Sequence, residues 1–102
     1  MALMEISVVP LGTGTTSVGD YIARIKTLLE EKGLPHRLTD MGTIIEGEVS
    51  ELLRLAAELH EIPFGAGAKR VFTVIKIDDR RDREVHLGEK VKSVEERLRS
   101  EG

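Results

Sequence analysis

Along these 102 residues the apolar positions shift from a two-residue to a helical spacing and back, and the order of the shifts leaves few folds open. Ile6 and Val8 alternate with Ser7 and Val9, predicting a strand over Glu5–Leu11 ended by Pro10 and Gly12. Met1–Met4 reads as a ragged start or a lead-in to it. Gly12–Ser17 is a glycine- and hydroxyl-rich loop, with Ser17 placed to cap a helix and Asp20 to complement its dipole. Val18, Tyr21, Ile22, Ile25, Leu28 and Leu29 then share one helical stripe, closed by Gly33 and Pro35. His36–Asp40 is a short strand and Thr43–Val49 another. Between them Met41-Gly42 is a turn in which Gly42 supplies the unusual backbone angles. Ser50 is expected to cap a second helix carrying Leu52, Leu53, Leu55, Ala56 and Leu59, with Pro63 ending it. The strongest strand, Arg70–Asp78, precedes a charged loop over Asp78–Glu84 and a last helix with Val91, Val94 and Leu98 on one stripe.

The order is β-α-β-β-α-β plus a C-terminal helix, which predicts an α+β, ferredoxin-like fold: an antiparallel sheet with both main helices on one face. Residues 1–102 suffice for a single domain of this kind. The uncovered sheet face of a monomer should be polar. The last strand does not comply, since Val71, Thr73, Ile75 and Ile77 lie on one face and Phe72 and Val74 on the other. A second copy is the simplest cover, so a homo-oligomer is expected.

Composition removes several classes of function. Without cysteine there is no disulfide, thiol catalysis or thiolate metal site. With 15 basic and 18 acidic residues the net charge is −3, which gives no footprint for nucleic acid or an anionic membrane. No apolar run is long enough to span a bilayer, and no signal-peptide pattern opens the chain. The absence of Asn, Gln and Trp beside many charges hints at a thermophilic source.

Few residues group into a reactive constellation. The G-x-G-x-x-S run from Gly12 to Ser17 fits neither a dinucleotide fold of this length nor a Walker A loop. A tight turn with an ordinary cap is the favoured reading, and an anion held by backbone N–H groups and the hydroxyls of Thr13, Thr15, Thr16 and Ser17 is the lesser one. His36, His60 and His86 have no metal-ligand spacing, so no metal is expected. His60, near a helix C-terminus, suits the dipole there and is a lesser candidate for ligand contact. No nucleophile–base pair emerges, so catalysis is unsupported. Glu46 and Glu48 alternate as on a solvated strand edge. Asp78–Glu84 alternates in sign and neutralises itself, in the manner of a solvated loop or an ion-pair network at a subunit contact. RNA-recognition motifs share the element order but need strand aromatics where this chain has Thr43-Ile-Ile-Glu-Gly-Glu-Val49.

Several spaced segments together resemble one family. They are Pro10-Leu-Gly-Thr13, Ser17-Val18 with Tyr21, Met41-Gly-Thr43 with Glu46-Gly47, His60-Glu61, Gly67-Ala-Lys-Arg-Val71, Ile77-Asp-Asp-Arg80 and Lys90-Val91 with Ser93-Val94. From Glu5 to about Leu98 the chain is similar to the small stand-alone thiamine-binding proteins, once filed as a domain of unknown function and related to the YkoF-like superfamily. The resemblance implies a ferredoxin-like fold, dimers paired into tetramers, and a cytoplasmic, non-enzymatic carrier or sensor without a cofactor. Its ligand would be thiamine or the hydroxymethylpyrimidine half.

An aminopyrimidine presents ring-nitrogen acceptors and an amine donor, so it calls for hydroxyls, a carboxylate or carbonyl, and a small apolar wall. For that ligand the chain offers Ser7, Thr39 and Thr43, the carboxylate of Glu46 and the soft side chain of Met41, with His60 as a further contact. Thr39, Met41 and Thr43 share parity and Glu46 does not, so either the turn breaks the alternation or the pocket lies at a strand end. Aromatic residues are only 3%, which argues against a stacked clamp. The alternative is a structural or regulatory homo-oligomer acting through a protein partner. An enzyme acting on thiamine precursors is a third class.

Overall fold

The computed structural model describes residues 1–14 and 19–101. Its elements are β1 (Ala2–Pro10), α1 (Gly19–Lys32), β2 (His36–Thr39), β3 (Gly42–Gly47), α2 (Val49–Gly65), β4 (Val71–Asp79) and α3 (Glu89–Glu101). The strands pair antiparallel in the order β2-β3-β1-β4, so the chain adopts the expected ferredoxin-like α+β arrangement. The expected cap at Ser17 and the loop hydroxyls of Thr15 and Thr16 lie outside the described residues.

β1 is the spine of the sheet. Alternate residues Ala2, Met4, Ile6, Val8 and Pro10 are buried. The apolar ones among Ala2–Val8 cluster with Ile25 and Leu29 of α1, Ile45 of β3, and Leu52, Leu55, Ala56 and Leu59 of α2. The stretch Met1–Met4, expected as a frayed lead-in, is therefore core strand from Ala2 onward. Its alternation runs in phase with Ile6 and Val8, and Met4 is fully buried.

Three local expectations need correction. α2 begins at Val49, with extended Glu48 at the cap position and no side-chain cap bond, so Ser50 lies within the first turn. Val49 packs against the core, which draws the helix start two residues earlier. Pro63 does not end α2. It is buried inside the final turn, and the Ala66 and Gly67 amides bond back three residues to Pro63 and Phe64, tightening the helix to its close at Gly65. Gly42 has no left-handed backbone; its requirement is proximity, because a Cβ there would stand 3.0 Å from the Ile6 carbonyl oxygen. Gly33, in contrast, takes the left-handed φ of +67° expected after a helix.

β4 is an edge strand with apolar residues on both faces. Phe72, on the face away from the helices, is 58% exposed, and Val74, Ile75 and Ile77 are exposed as well. Beyond β4 the charged loop pairs with itself: Arg80 with Asp82 and Arg81 with Asp79, while Lys90 reaches back from α3 to Asp78 at 2.9 Å. The hydrogen bond and charge of Arg80 hold the Asp82 carboxyl below the usual carboxylate range. That pair therefore favours the folded chain above the ordinary carboxylate pKa, and the preference disappears as pH falls through the lowered value. Both partners are solvated, so the contribution is small. Val91, Val94 and Leu98 of α3 form an exposed apolar stripe.

The core cluster makes a direct prediction. Leu59→Ala removes a fully buried side chain between α2 and β1 and is expected to lower unfolding free energy by about 2–5 kcal/mol in urea titration, with an unchanged slope.

Candidate functional site

A difference in strand length creates the site. β1 pairs with β4 along Ala2–Pro10, but with β3 only from Ala2↔Gly47 to Ile6↔Thr43. Beyond Ile6 the β2–β3 hairpin turns away, leaving Ser7–Pro10 without a strand on that side. The Thr39 hydroxyl fixes this turn: it donates to the Gly42 carbonyl at 2.8 Å and accepts the Met41 and Gly42 amides at 3.3 and 3.2 Å. Into the gap α1 presents Ile22 and Ile25, and β2 presents Leu38.

The result is a cavity of about 140 Å³ between the hairpin tip, β1 and α1. Four of the residues named from the sequence line it: Ser7, Thr39, Met41 and Thr43. Thr43 is buried at its closed end, whereas Met41, 83% exposed, stands at the mouth. The Thr43 hydroxyl has no hydrogen-bond partner among the described residues and is open to a ligand. Ser7, paired with Val74 in the phase opposite to Ile6 and Val8, borders the cavity but projects its side chain to the sheet face away from α1. The Thr39 hydroxyl is engaged by the turn. The pocket thus lies at a strand end, one of the two arrangements that parity allowed.

The other two named residues are elsewhere. Glu46 pairs with Leu3, in the opposite phase from Ile45 and Met4, and so lies on the face away from the helices. Its carboxylate, 7% exposed, accepts the Leu87 amide at 2.8 Å and lies 3.2 Å from His86 Nδ1. The solvated-edge reading of Glu46 is thereby corrected: the segment between β4 and α3 folds back and covers it. His60 bonds the Thr73 hydroxyl of β4 at 2.7 Å and meets the Phe64 ring edge-on, across β1 from the cavity. Sequence reading missed the apolar wall of Ile22, Ile25 and Leu38. The helical stripe signalled an inward face for Ile22 and Ile25, of which Ile25 is buried while Ile22, like Leu38, is exposed, but not a cavity.

A larger groove of about 830 Å³ runs between the start of α2 and the loop after β4, past Arg80, Arg81, Arg83, Glu48 and Glu84. It is an open channel whose charges are largely mutually neutralised, with Met1, Val49 and Leu53 as its apolar part. Among the described residues no group of three or more His, Asp or Glu side chains is arranged to hold a metal.

The family model for "Thiamine-binding protein" matches residues 4–95. The chain belongs to that family. A UPF0045 protein of Staphylococcus xylosus is 44% identical over all of this chain and 99% of its own length. The UPF0045 protein YqgV of Bacillus subtilis is 42% identical over 96% of this chain and 98% of its own. Among solved structures, hypothetical protein MJ1052 from Methanocaldococcus jannaschii superposes with a TM-score of 0.80 at 32% identity, covering 93% of this chain and 96% of that one.

The separation of Glu46 from the cavity is testable. Glu46→Ala is expected to cost about 1–3 kcal/mol, since it strands the Leu87 amide and the His86 ring. Hydrogen exchange should accelerate at Leu87 while the cavity residues keep their chemical shifts.

Proposed function

We propose that this protein binds thiamine, or the hydroxymethylpyrimidine half of it, without transforming it, in the cavity at the β2–β3 hairpin tip. The observation that carries this reading is the convergence of the Thr43 hydroxyl, the Met41 thioether and an aliphatic wall on one small space in a member of the thiamine-binding family. The cavity is well below the roughly 300–1,000 Å³ of drug-sized ligand sites. One ring fits this size better than two, so the pyrimidine would enter and the cationic thiazolium of thiamine would remain at the mouth beside Asp40. A cytoplasmic carrier or sensor role is the corresponding cellular function.

The same reading includes assembly. Phe72 and Val74 extend the half-buried Leu3 and Val9 into an apolar band on the sheet face opposite the helices. The α3 stripe adds a second uncovered apolar surface. Both favour a homo-oligomer, with a dimer of dimers as the proposed form.

Two measurements test these statements. Calorimetry with the free pyrimidine alcohol should give saturable binding, weakened about two- to twelvefold by Thr43→Val. That change removes one neutral hydrogen bond of about 0.5–1.5 kcal/mol. No binding of the alcohol or of thiamine by the parent protein would remove the reading. In sedimentation, the parent should run well above its 11.3 kDa chain mass, and Phe72→Glu should shift it toward monomer without unfolding it. A monomeric parent at micromolar concentration would end the assembly proposal.

A further inference from the structure

The cavity has a polar edge that no side chain supplies. In an antiparallel pair each residue directs its N–H and C=O to the same neighbour, and successive residues alternate between neighbours. The Leu11 amide bonds the Arg70 carbonyl at 2.8 Å, in register with Pro10↔Val71, so the odd-numbered residues of β1 bond toward β4. The even-numbered residues bond toward β3. On the far side of β3, the Glu46 amide bonds the Pro35 carbonyl, so even-numbered β3 residues face β2 and Thr43, Ile45 and Gly47 face β1. Ala2, Met4 and Ile6 therefore bond Gly47, Ile45 and Thr43. Val8 is next in the series, and its partner would be Met41. Met41 is in the turn, with its amide given to the Thr39 hydroxyl. The Val8 amide and carbonyl thus point into the cavity with no partner among the described residues.

We infer that the main chain of Val8 reads the aminopyrimidine edge of the ligand, an inference that rests on the proposed cavity function. In an extended residue the N–H and C=O stand side by side, one donor and one acceptor directed the same way. The amidine edge of a 4-aminopyrimidine is their complement: its ring nitrogen N3 accepts the Val8 amide, and its amine donates to the Val8 carbonyl. An unpaired main-chain donor and acceptor in a largely apolar site are a strong preference waiting for a match.

The direction of β1 also orients the ring. The amide precedes the carbonyl along the chain, so the substituent beside N3, at C2, points back toward Ser7 and buried Thr43. The substituent beside the amine, at C5, points on toward Val9 and the open end. C5 is where the pyrimidine alcohol carries its hydroxymethyl group and thiamine its thiazolium. A larger group is therefore accepted only on the side where the cavity opens. The 4-oxo analogue exchanges donor and acceptor. It can satisfy Val8 only by turning over, which drives the C5 group into the closed end.

The test reads the Val8 amide in a protein with isotope-labelled valines, using Val8→Ile to identify the signal. The probes are the 4-amino pyrimidine alcohol, its 4-oxo analogue and its 4-dimethylamino analogue. With the amino compound the Val8 amide should move downfield and exchange with solvent at least tenfold more slowly. The oxo analogue should bind about tenfold or more weakly, and the dimethylamino analogue, with no proton to donate, should not bind detectably. If the amino compound binds saturably while the Val8 amide is unmoved, or if all three bind alike, this inference fails and the cavity reading is left to the Thr43 variant. If the amino compound does not bind at all, the cavity reading fails and this inference falls with it.

Discussion

The structure depends on the register of β1 between two partners of unequal length. On the β4 side its ladder runs unbroken through Ala2–Pro10, and on the β3 side it stops at Ile6. The paired half carries the core, because Met4 and Ile6 must face α1 and α2 for Leu29, Leu52 and Leu59 to have something to pack on. The unpaired half carries the site, because a strand with no neighbour leaves room for another molecule and main-chain groups to meet it. A one-residue slip would turn Met4 and Ile6 to the other face and aim the Ser7 amide, in place of that of Val8, at the gap. Stability and recognition are thus set by the same register.

Thr39 and Gly42 hold the point where the ladder stops. The hydroxyl collects two amides and a carbonyl within the turn, and the glycine lets β3 approach the Ile6 carbonyl as closely as it does. A side chain at position 42 would push the hairpin away from β1 and change the width of the cavity. Gly42 matters here through space and not through its freedom of φ.

Element order was legible because periodicities of two and of 3.6 differ strongly over stretches such as Tyr21–Leu29 and Val71–Ile77. Boundaries were less so: the Ala2–Met4 start and the Val49 start of α2 are set by tertiary packing, which no local cap signal reports. Ser7, Thr39, Met41 and Thr43 came to notice through a family resemblance, and strand-end geometry brings them together. Glu46 could not be located from its neighbours in sequence, since the amide it bonds belongs to Leu87, 41 positions later. Val8 was beyond reach for a different reason. What matters there is a main-chain group, and its direction follows from the pairing of three strands at once.

The strand order also bears on how the chain is made. β1 is near the start of the sequence and central in the sheet, while its longest partner, β4, is almost seventy residues further on. At translation speeds of about 5–20 residues per second, β1 waits several seconds with one edge bare. For that interval the nascent protein offers an apolar strand edge of the kind that pairs with other chains. The Glu5 carboxylate is the feature of the strand itself that discourages such pairing until β4 arrives and Lys76 settles opposite it.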